Sequence, residues 1–291
     1  MSKPIDRATQ AFVTHRNLLF TVAYEILGSA ADAEDALQET WLSWADVDHD
    51  IVQDQRAYLV RIVTRQALMR LRALSRRRES YVGPWLPEPL LTAPDVADDV
   101  ELAESVSMAM LLVLETLAPT ERAVFVLRDV FDLAYDEIAQ AVGKSPAAVR
   151  QIAHRARAHV AARRPRALVS PSESRHALAA FHRAIEVGDL QGLLDTLAPE
   201  VVLVTDGGGL AQAALSPIAG AEPVARVLGK IAAASLESAY VNGYPALIVR
   251  DSGQIDTVVT VRVDGGLITG LYAVRNPEKL SYMQREIPVS R

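Results

Sequence analysis

Tyr135-Asp136-Glu137-Ile138-Ala139-Gln140-Ala141-Val142-Gly143-Lys144-Ser145-Pro146, followed by Ala147 to Arg157, is the stretch that decides the fold of this 291-residue chain. Ser145 is a good N-cap, and Pro146 fits the first helical position, where an N–H has no intrahelical partner anyway. Gly143 supplies a left-handed residue between two helices, and Ala139 is small enough to let them cross closely. On the second helix Val149, Ile152, Ala156 and Val160 share the inward face, leaving Arg150, Gln151, His154 and Arg157 outward. This is a helix-turn-helix layout, whose second helix offers its early residues to base edges in a major groove. Arg and Gln are suitable base readers, while Arg155, Arg163 and Arg164 suit phosphates. A plain helical hairpin is the bland alternative. Gly143-Lys144-Ser145 is no phosphate-binding P-loop, because Ile138 stands where the first glycine is required.

Working outward, the charge is organised in blocks. The total is -6, which taken alone argues against a nucleic-acid partner. Residues 25 to 54, however, carry nine acids and no Lys or Arg, and residues 55 to 78 carry eight arginines and no acid. Residues 79 to 143 hold thirteen acids against Arg122 and Arg128, and residues 144 to 166 hold Lys144 and six arginines without an acid. Any one such block reads as a solvated face. Two acid-free basic blocks set between acidic ones point instead to phosphates, which respond to charge within a Debye length of about 8–10 Å.

The first basic block, Gln55 to Arg78, predicts a helix about 36 Å long. Arg61, Arg65, Arg72 and Arg76 fall within an arc of about 60°, with Tyr58 beside them. Leu59, Val63, Ala67, Leu71 and Leu74 lie opposite, so one face packs and the other is free for phosphates. Arg70 sits near the apolar arc and does not fit this partition.

Apolar periodicity predicts helices up to about Arg166, broken after Gly28, by an aspartate-rich loop at Asp46 to Asp54, and by Gly83 to Asp99. Pro87 and Pro89 forbid helix in the last of these, which reads as an extended linker. A second linker, Arg163 to Ser174, contains Pro165 and Pro171. Beyond it come two short amphipathic helices and then strands at Val201 to Thr205, Ala246 to Arg250, Thr257 to Val263 and Leu267 to Val274, with hairpin turns at Asp251 to Gly253 and Asp264 to Gly266. The expected organisation is multidomain: an all-α domain over 1–80, an acidic Pro-containing linker over 81–105, an all-α helix-turn-helix domain over 106–166, a linker over 167–173 and an α+β domain over 174–291. The absence of cysteine excludes disulfides, thiolate metal sites and a cysteine nucleophile. No apolar run reaches the roughly 20 residues of a membrane span, and Met1 to Gln10 lacks a signal-peptide core, so a cytoplasmic protein without a membrane partner is expected. No Asp, Glu and His cluster has metal-ligand spacing, and no cofactor is expected.

This order of features resembles a group IV, or extracytoplasmic-function (ECF), sigma factor, the dissociable promoter-recognition subunit of bacterial RNA polymerase, over roughly residues 8 to 166. The most specific stretch is Asp32-Ala33-Glu34-Asp35-Ala36-Leu37-Gln38-Glu39-Thr40-Trp41-Leu42, similar to the region 2 helix that docks on the clamp of the polymerase β′ subunit. The resemblance implies that Asp35, Gln38, Glu39 and Trp41 meet core polymerase. It also implies that the loop Ala45 to Asp54 and the arc of Tyr58, Arg61, Arg65, Arg72 and Arg76 capture a melted −10 strand of promoter DNA, where unpaired bases need a stacking platform and a basic groove. The helix-turn-helix is similar to region 4, implying that Arg150, Gln151, His154, Arg155 and Arg157 engage the −35 duplex, and the acidic linker to the segment that occupies the RNA path.

Three further motifs resemble the SigJ-like subgroup, whose C-terminal extension has a SnoaL/NTF2-like cone: Trp85-Leu86-Pro87-Glu88-Pro89 in the linker, then Asp206-Gly207-Gly208-Gly209 and Asn276-Pro277-Glu278-Lys279-Leu280. The position after the glycines, usually lysine in that subgroup, is Leu210 here. The resemblance implies regulatory contacts at these motifs and a domain that acts on its own sigma portion, where a tether of about ten residues gives an effective concentration near millimolar. It also leaves open a small-molecule ligand in the cone. The expected function is therefore a non-enzymatic sigma factor. Two alternatives stand beside it: a helix-turn-helix regulator independent of polymerase, and an isomerase or cyclase in the cone with His182, Asp206, Tyr240, Asp256 and Tyr272 as candidate groups.

Overall fold

The computed structural model describes residues 4–163, 171–229 and 235–291, with the side chains of residues 4–7, 50, 75–78, 98 and 171 outside that description. Two compact units emerge, one from Met1–Glu79, Met110–Arg164 and Pro288–Arg291, the other from Ser80–Ala109 and Pro165–Ile287.

The first unit begins with α1 (Pro4–Leu27), α2 (Ala30–Ala45) and α3 (Gln55–Arg78), packed on one another. Gly28, at φ 70°, turns the chain out of α1, and the Ser29 side chain accepts the Asp32 N–H at 3.1 Å to cap α2. Leu19, Phe20, Ala23 and Tyr24 from α1 and Leu59, Val63 and Ala67 from α3 are fully buried. Trp44 closes this core, its indole N–H donating to the Ala8 carbonyl at 2.9 Å. Arg70, which sequence periodicity leaves unexplained, pairs across to Asp32 at 3.2 Å and Asp35 at 2.8 Å on α2.

After α4 (Val100–Val106), which belongs to the second unit, come α5 (Met108–Glu115), α6 (Pro119–Phe125), a π-helical turn at Val126–Val130, α7 (Tyr135–Val142) and α8 (Pro146–Arg163). Gly143 takes the left-handed conformation between α7 and α8 at φ 67°, and the Ser145 hydroxyl accepts the Ala148 N–H at 3.3 Å. The two helical groups share a core through Arg122 on α6, which is only 1% exposed. Its Nε donates to the Glu25 carbonyl at 2.8 Å and its Nη1 pairs with Glu115 at 2.7 Å. Burial pulls this guanidinium down to about 9, against the opposing pull of Glu25, and it stays charged at neutral pH.

The second unit contains α9 (Pro171–Val187), α10 (Leu190–Thr196), β1 (Leu197–Asp206), β2 (Ile218–Ala219), α11 (Ala221–Leu228), β3 (Ser235–Val241), β4 (Tyr244–Asp251), β5 (Gln254–Asp264), β6 (Leu267–Val274) and α12 (Pro277–Leu280). The sheet order is β2-β1-β6-β5-β4-β3, antiparallel except for the parallel pair β1 and β6. Period-two alternation places Leu247, Val249, Val259 and Leu271 on one face, packed with Phe181 and Leu178 of α9 and Val224 of α11. This is the α+β domain expected after two all-α domains. Of residues 80–109, which are linker-like in sequence, the stretch 81–93 is free of helix as its prolines require, and a 3-10 turn at Pro94–Asp98 and α4 follow it, yet Leu86, Pro87, Glu88, Pro89 and Leu90 are buried within this unit. Leu91 forms a bridge to Val241, the Thr92 N–H donates to the Tyr240 carbonyl at 3.0 Å, and on the other side the Ile287 N–H donates to Leu91 at 2.8 Å. The Pro-rich segment thus pairs with the sheet edge at a single bridge, which satisfies backbone groups that would otherwise be buried unpaired.

Candidate nucleic-acid interface and linker anchor

The face of α3 carries Tyr58, Arg61 and Arg65 together, and Arg72 is exposed further along it. Arg76 falls where side chains lie outside the described residues. The Arg61 guanidinium lies over the Tyr58 ring at 4.5 Å from its centroid, and the ring leans on Trp44 at 5.7 Å. Both arginines are engaged within the unit: Arg65 donates to the Gln140 backbone carbonyl at 2.8 Å and Arg61 to the Gln140 side-chain oxygen at 3.3 Å. A cavity of about 410 Å³ lies beside them, walled by Val47, Ile51, Val52 and Tyr58 on one side and by Glu137 and Gln140 of α7 on the other. The loop and helix thus form a basic, aromatic-lined recess whose far wall is helix α7.

On α8, Arg150, Gln151, His154, Arg155 and Arg157 are all exposed, and Val149, Ile152, Ala153, Ala156 and Val160 are buried. The five are not equivalent. Arg157 Nε pairs with Asp129 at 2.6 Å, a hydrogen bond that holds the guanidinium all the more firmly protonated, and Arg155 faces Glu121 at 3.5 Å. Arg150, Gln151 and His154 lie toward the helix start, where a groove-entering helix meets bases. Arg164 lies outside the described residues.

On α2, Gln38 and Glu39 are exposed, Asp35 is exposed but paired with Arg70, and Trp41 is half-buried edge-on against Phe12 at 5.3 Å. Trp41 therefore contributes packing between α1 and α2 as well as surface.

The linker motif and the two C-terminal motifs converge on one carboxylate. Asp206, at the end of β1 and fully buried, accepts the Tyr81 hydroxyl at 2.6 Å, the Leu86 N–H at 2.8 Å and the Lys279 ammonium at 2.7 Å. Lys279 also donates to the Leu86 carbonyl at 2.6 Å and sits 3.2 Å from the centroid of the Trp85 ring. Asn276 donates from its side chain to the Tyr81 oxygen at 2.8 Å, and its side-chain oxygen caps α12 by accepting the Glu278 N–H at 3.0 Å. Burial and the hydrogen bond to Asp206 raise the Tyr81 pKa, so the phenol remains a donor. Gly208, at φ 58°, lies where a Cβ would collide with the Asn276 side chain and come within 2.7 Å of the Tyr81 oxygen. Pro277 and Glu278 are exposed, Pro87, Glu88 and Pro89 are buried, and Gly209 and Leu210 face outward beside Val82. The motifs form an anchor that fastens the linker to the sheet.

The alternative catalytic candidates are dispersed. Asp206 is committed to the anchor, Asp256 pairs with Arg275 at 2.8 Å, and His182 faces Glu186 at 3.4 Å. Tyr272 is buried with its pKa raised by that burial, and Tyr240 is half-buried in β3. Among the described residues, no group of three or more His, Cys, Asp or Glu is placed to hold a metal ion, and no helix is long and apolar enough to cross a membrane.

Sequence reasoning missed Tyr81, Arg122, Gln140 and Asn242. Asn242 and Gly243, at φ 55° and 74°, form the β3–β4 turn, and Asn242 donates to the Val106 carbonyl at 2.8 Å while accepting the Leu90 N–H at 3.1 Å. The signal was available, since Asn-Gly between two strand-like runs marks a two-residue hairpin. No local signal marks Gln140, which acts at residues 75 and 79 positions away.

Residues 11–77 match the family model of Sigma-70 region 2, and residues 107–160 that of Sigma-70, region 4. The ECF RNA polymerase sigma factor SigJ of Mycobacterium tuberculosis is 34% identical, over 93% of this chain and 92% of that protein. The probable ECF RNA polymerase sigma factor SigI of the same organism is 30% identical, over 97% of this chain and 98% of its own length. The crystal structure of M. tuberculosis SigJ superposes with a TM-score of 0.75 at 31% identity, covering 94% of this chain and 98% of that one. With both sigma regions matched and full-length relatives sharing the whole architecture, the chain belongs to the ECF sigma factors of RNA polymerase.

Proposed function

We propose that this sigma factor meets core polymerase through α2, captures a melted −10 strand on α3, reads the −35 duplex through α8, and is regulated through its own linker anchor. Its relatives are transcription initiation factors rather than enzymes, and membership of the family brings core RNA polymerase and promoter DNA as partners. The finer assignments are these. Gln38 and Glu39, with Asp35 and Trp41, form the contact for the polymerase clamp. Tyr58, Arg61, Arg65 and Arg72 receive the −10 strand, with Arg76 as a further phosphate contact. Arg150, Gln151 and His154 read −35 bases, and Arg155 and Arg157 hold the helix in place through Glu121 and Asp129 while facing phosphates. Because Gln140 engages both −10 arginines in the free chain, strand capture replaces that contact.

The observation that carries the regulatory reading is the buried Asp206–Lys279 pair tied to Tyr81 and Leu86. A free segment over residues 80–109 could stretch roughly 100 Å at 3.3–3.6 Å per residue. Fastened to the sheet, it cannot, so the anchor limits how far the −10 and −35 modules separate. A small-molecule ligand in the cone and a cytoplasmic location remain part of this reading. Run-off transcription with bacterial core polymerase tests it. Promoter-specific transcript is expected from the full chain, with altered yield when Lys279 is replaced. No transcript from the full chain or from residues 1–171 would refute the reading.

A further inference from the structure

We propose that Tyr135 is the residue that positions Arg150 for base reading, acting as an aromatic rest for the guanidinium. This rests on the reading of α8 as the −35 recognition helix. Tyr135 opens α7 and is half-buried, and three arginines converge on it. Arg128 lies 5.1 Å and Arg150 5.5 Å from the ring centroid, and Arg157 donates to the phenol oxygen at 3.5 Å. Two of the three are already neutralised and tied down. Arg128 pairs with Asp132 at 2.8 Å and donates to the Leu133 carbonyl at 2.9 Å, while Arg157 pairs with Asp129 at 2.6 Å. Arg150 has no carboxylate partner among the described residues, and its guanidinium lies over the ring.

The chemistry of base reading makes that difference matter. A guanidinium recognises a base edge through two parallel N–H groups, so its plane and approach angle must be right, and an unconstrained arginine loses much rotamer freedom in reaching them. An aromatic face attracts a guanidinium by its quadrupole and narrows the rotamers sampled before docking. Tyr135 stands on the helix preceding α8 and meets Arg150 from there, so its support does not depend on any other residue of α8 itself. The hydroxyl has a separate task, since Arg157 and Asp129 fasten α8 to the π-helical turn and to Tyr135 from the side. The ring therefore serves specificity, and the hydroxyl serves the packing of the helix-turn-helix.

The test uses holoenzyme assembled from core polymerase and the full chain, selecting from a promoter library randomised across the −35 element and read by sequencing. Tyr135→Phe keeps the ring and is expected to retain base preference. Tyr135→Leu keeps apolar bulk without the quadrupole and is expected to weaken preference at one base position by about two- to five-fold, the equivalent of an exposed cation–π contact. Total binding to a non-specific duplex and its salt slope should be unchanged in both, a result that a merely structural role would not give. Arg150→Ala, run in parallel, should abolish preference at that same position. If Arg150→Ala leaves every preference intact, the base-reading assignment of Arg150 falls. If it removes one and the Leu and Phe variants behave alike, the role of Tyr135 falls by itself.

Discussion

Replacing Lys279 with Met probes the linker anchor most directly. The side chains of Asp206 and Lys279 are 0% and 4% exposed and 2.7 Å apart. Removing one partner of a buried ion pair costs about 3–5 kcal/mol, because the other charge is left uncompensated. Two features shift the figure within that range. Asp206 keeps the hydrogen bonds from Tyr81 and Leu86, which soften the loss, whereas the donor to the Leu86 carbonyl and the ammonium over Trp85 disappear. A net cost of about 4 kcal/mol follows, roughly a thousandfold in the opening equilibrium of the linker. Amide hydrogen exchange of the full chain measures it, since the Leu86 and Leu90 N–H groups are held by Asp206 and Asn242. Both should lose protection while amides of α6 keep theirs. The companion Asp206→Asn with Lys279→Met removes both charges and should recover at least half of the loss. Exchange at Leu86 rising less than about tenfold in the single variant would refute the reasoning that this pair fastens the linker.

Three other outcomes follow from the same geometry. Asn242→Ala should cost about 2–4 kcal/mol in urea unfolding, since the Leu90 N–H and Val106 carbonyl lose their buried partner at a residue with φ 55°; Asn242→Gly, which relieves the backbone, separates the two contributions. Gly208→Ala should release Asn276 from Tyr81, seen as faster proteolysis between residues 80 and 92 with α8 unaffected, and an unchanged cleavage rate would contradict the close packing there. For Asp256, desolvation raises the pKa, but the hydrogen bonds from Arg275 and Thr257 outweigh it, so the carboxyl titrates below its ordinary 3.8. A depressed folded pKa contributes stability above the unfolded value that is lost as pH falls through the folded one, so Asp256→Asn should flatten the loss of stability on acidification below the ordinary carboxylate value of 3.8.

Much of this protein could be read from residue order alone because the deciding signals are local. Gly143-Lys144-Ser145-Pro146 specifies its turn through a positive φ, a cap and a ring that suits a first helical position, and the structure places each as expected. The apolar stripe of α3 is buried for the reason its spacing states, and Arg70 breaks the pattern only because its partners, Asp32 and Asp35, stand on another helix. Family motifs could be recognised as strings, but nothing in Trp85, Asp206 or Lys279 taken singly says that a carboxylate and an ammonium 73 residues apart close on one linker.

Sequence by itself determined the helix-turn-helix, the alternating charge blocks and the change from helical to strand periodicity, since each depends on neighbours within a few residues. Only the tertiary structure decided that the Pro-rich linker is buried against the sheet, that Gln140 holds Arg61 and Arg65, and that Tyr135 underlies Arg150. Those pairings are set by how distant elements pack, and burial turns them from weak polar contacts into ones whose loss leaves a charge or a donor stranded.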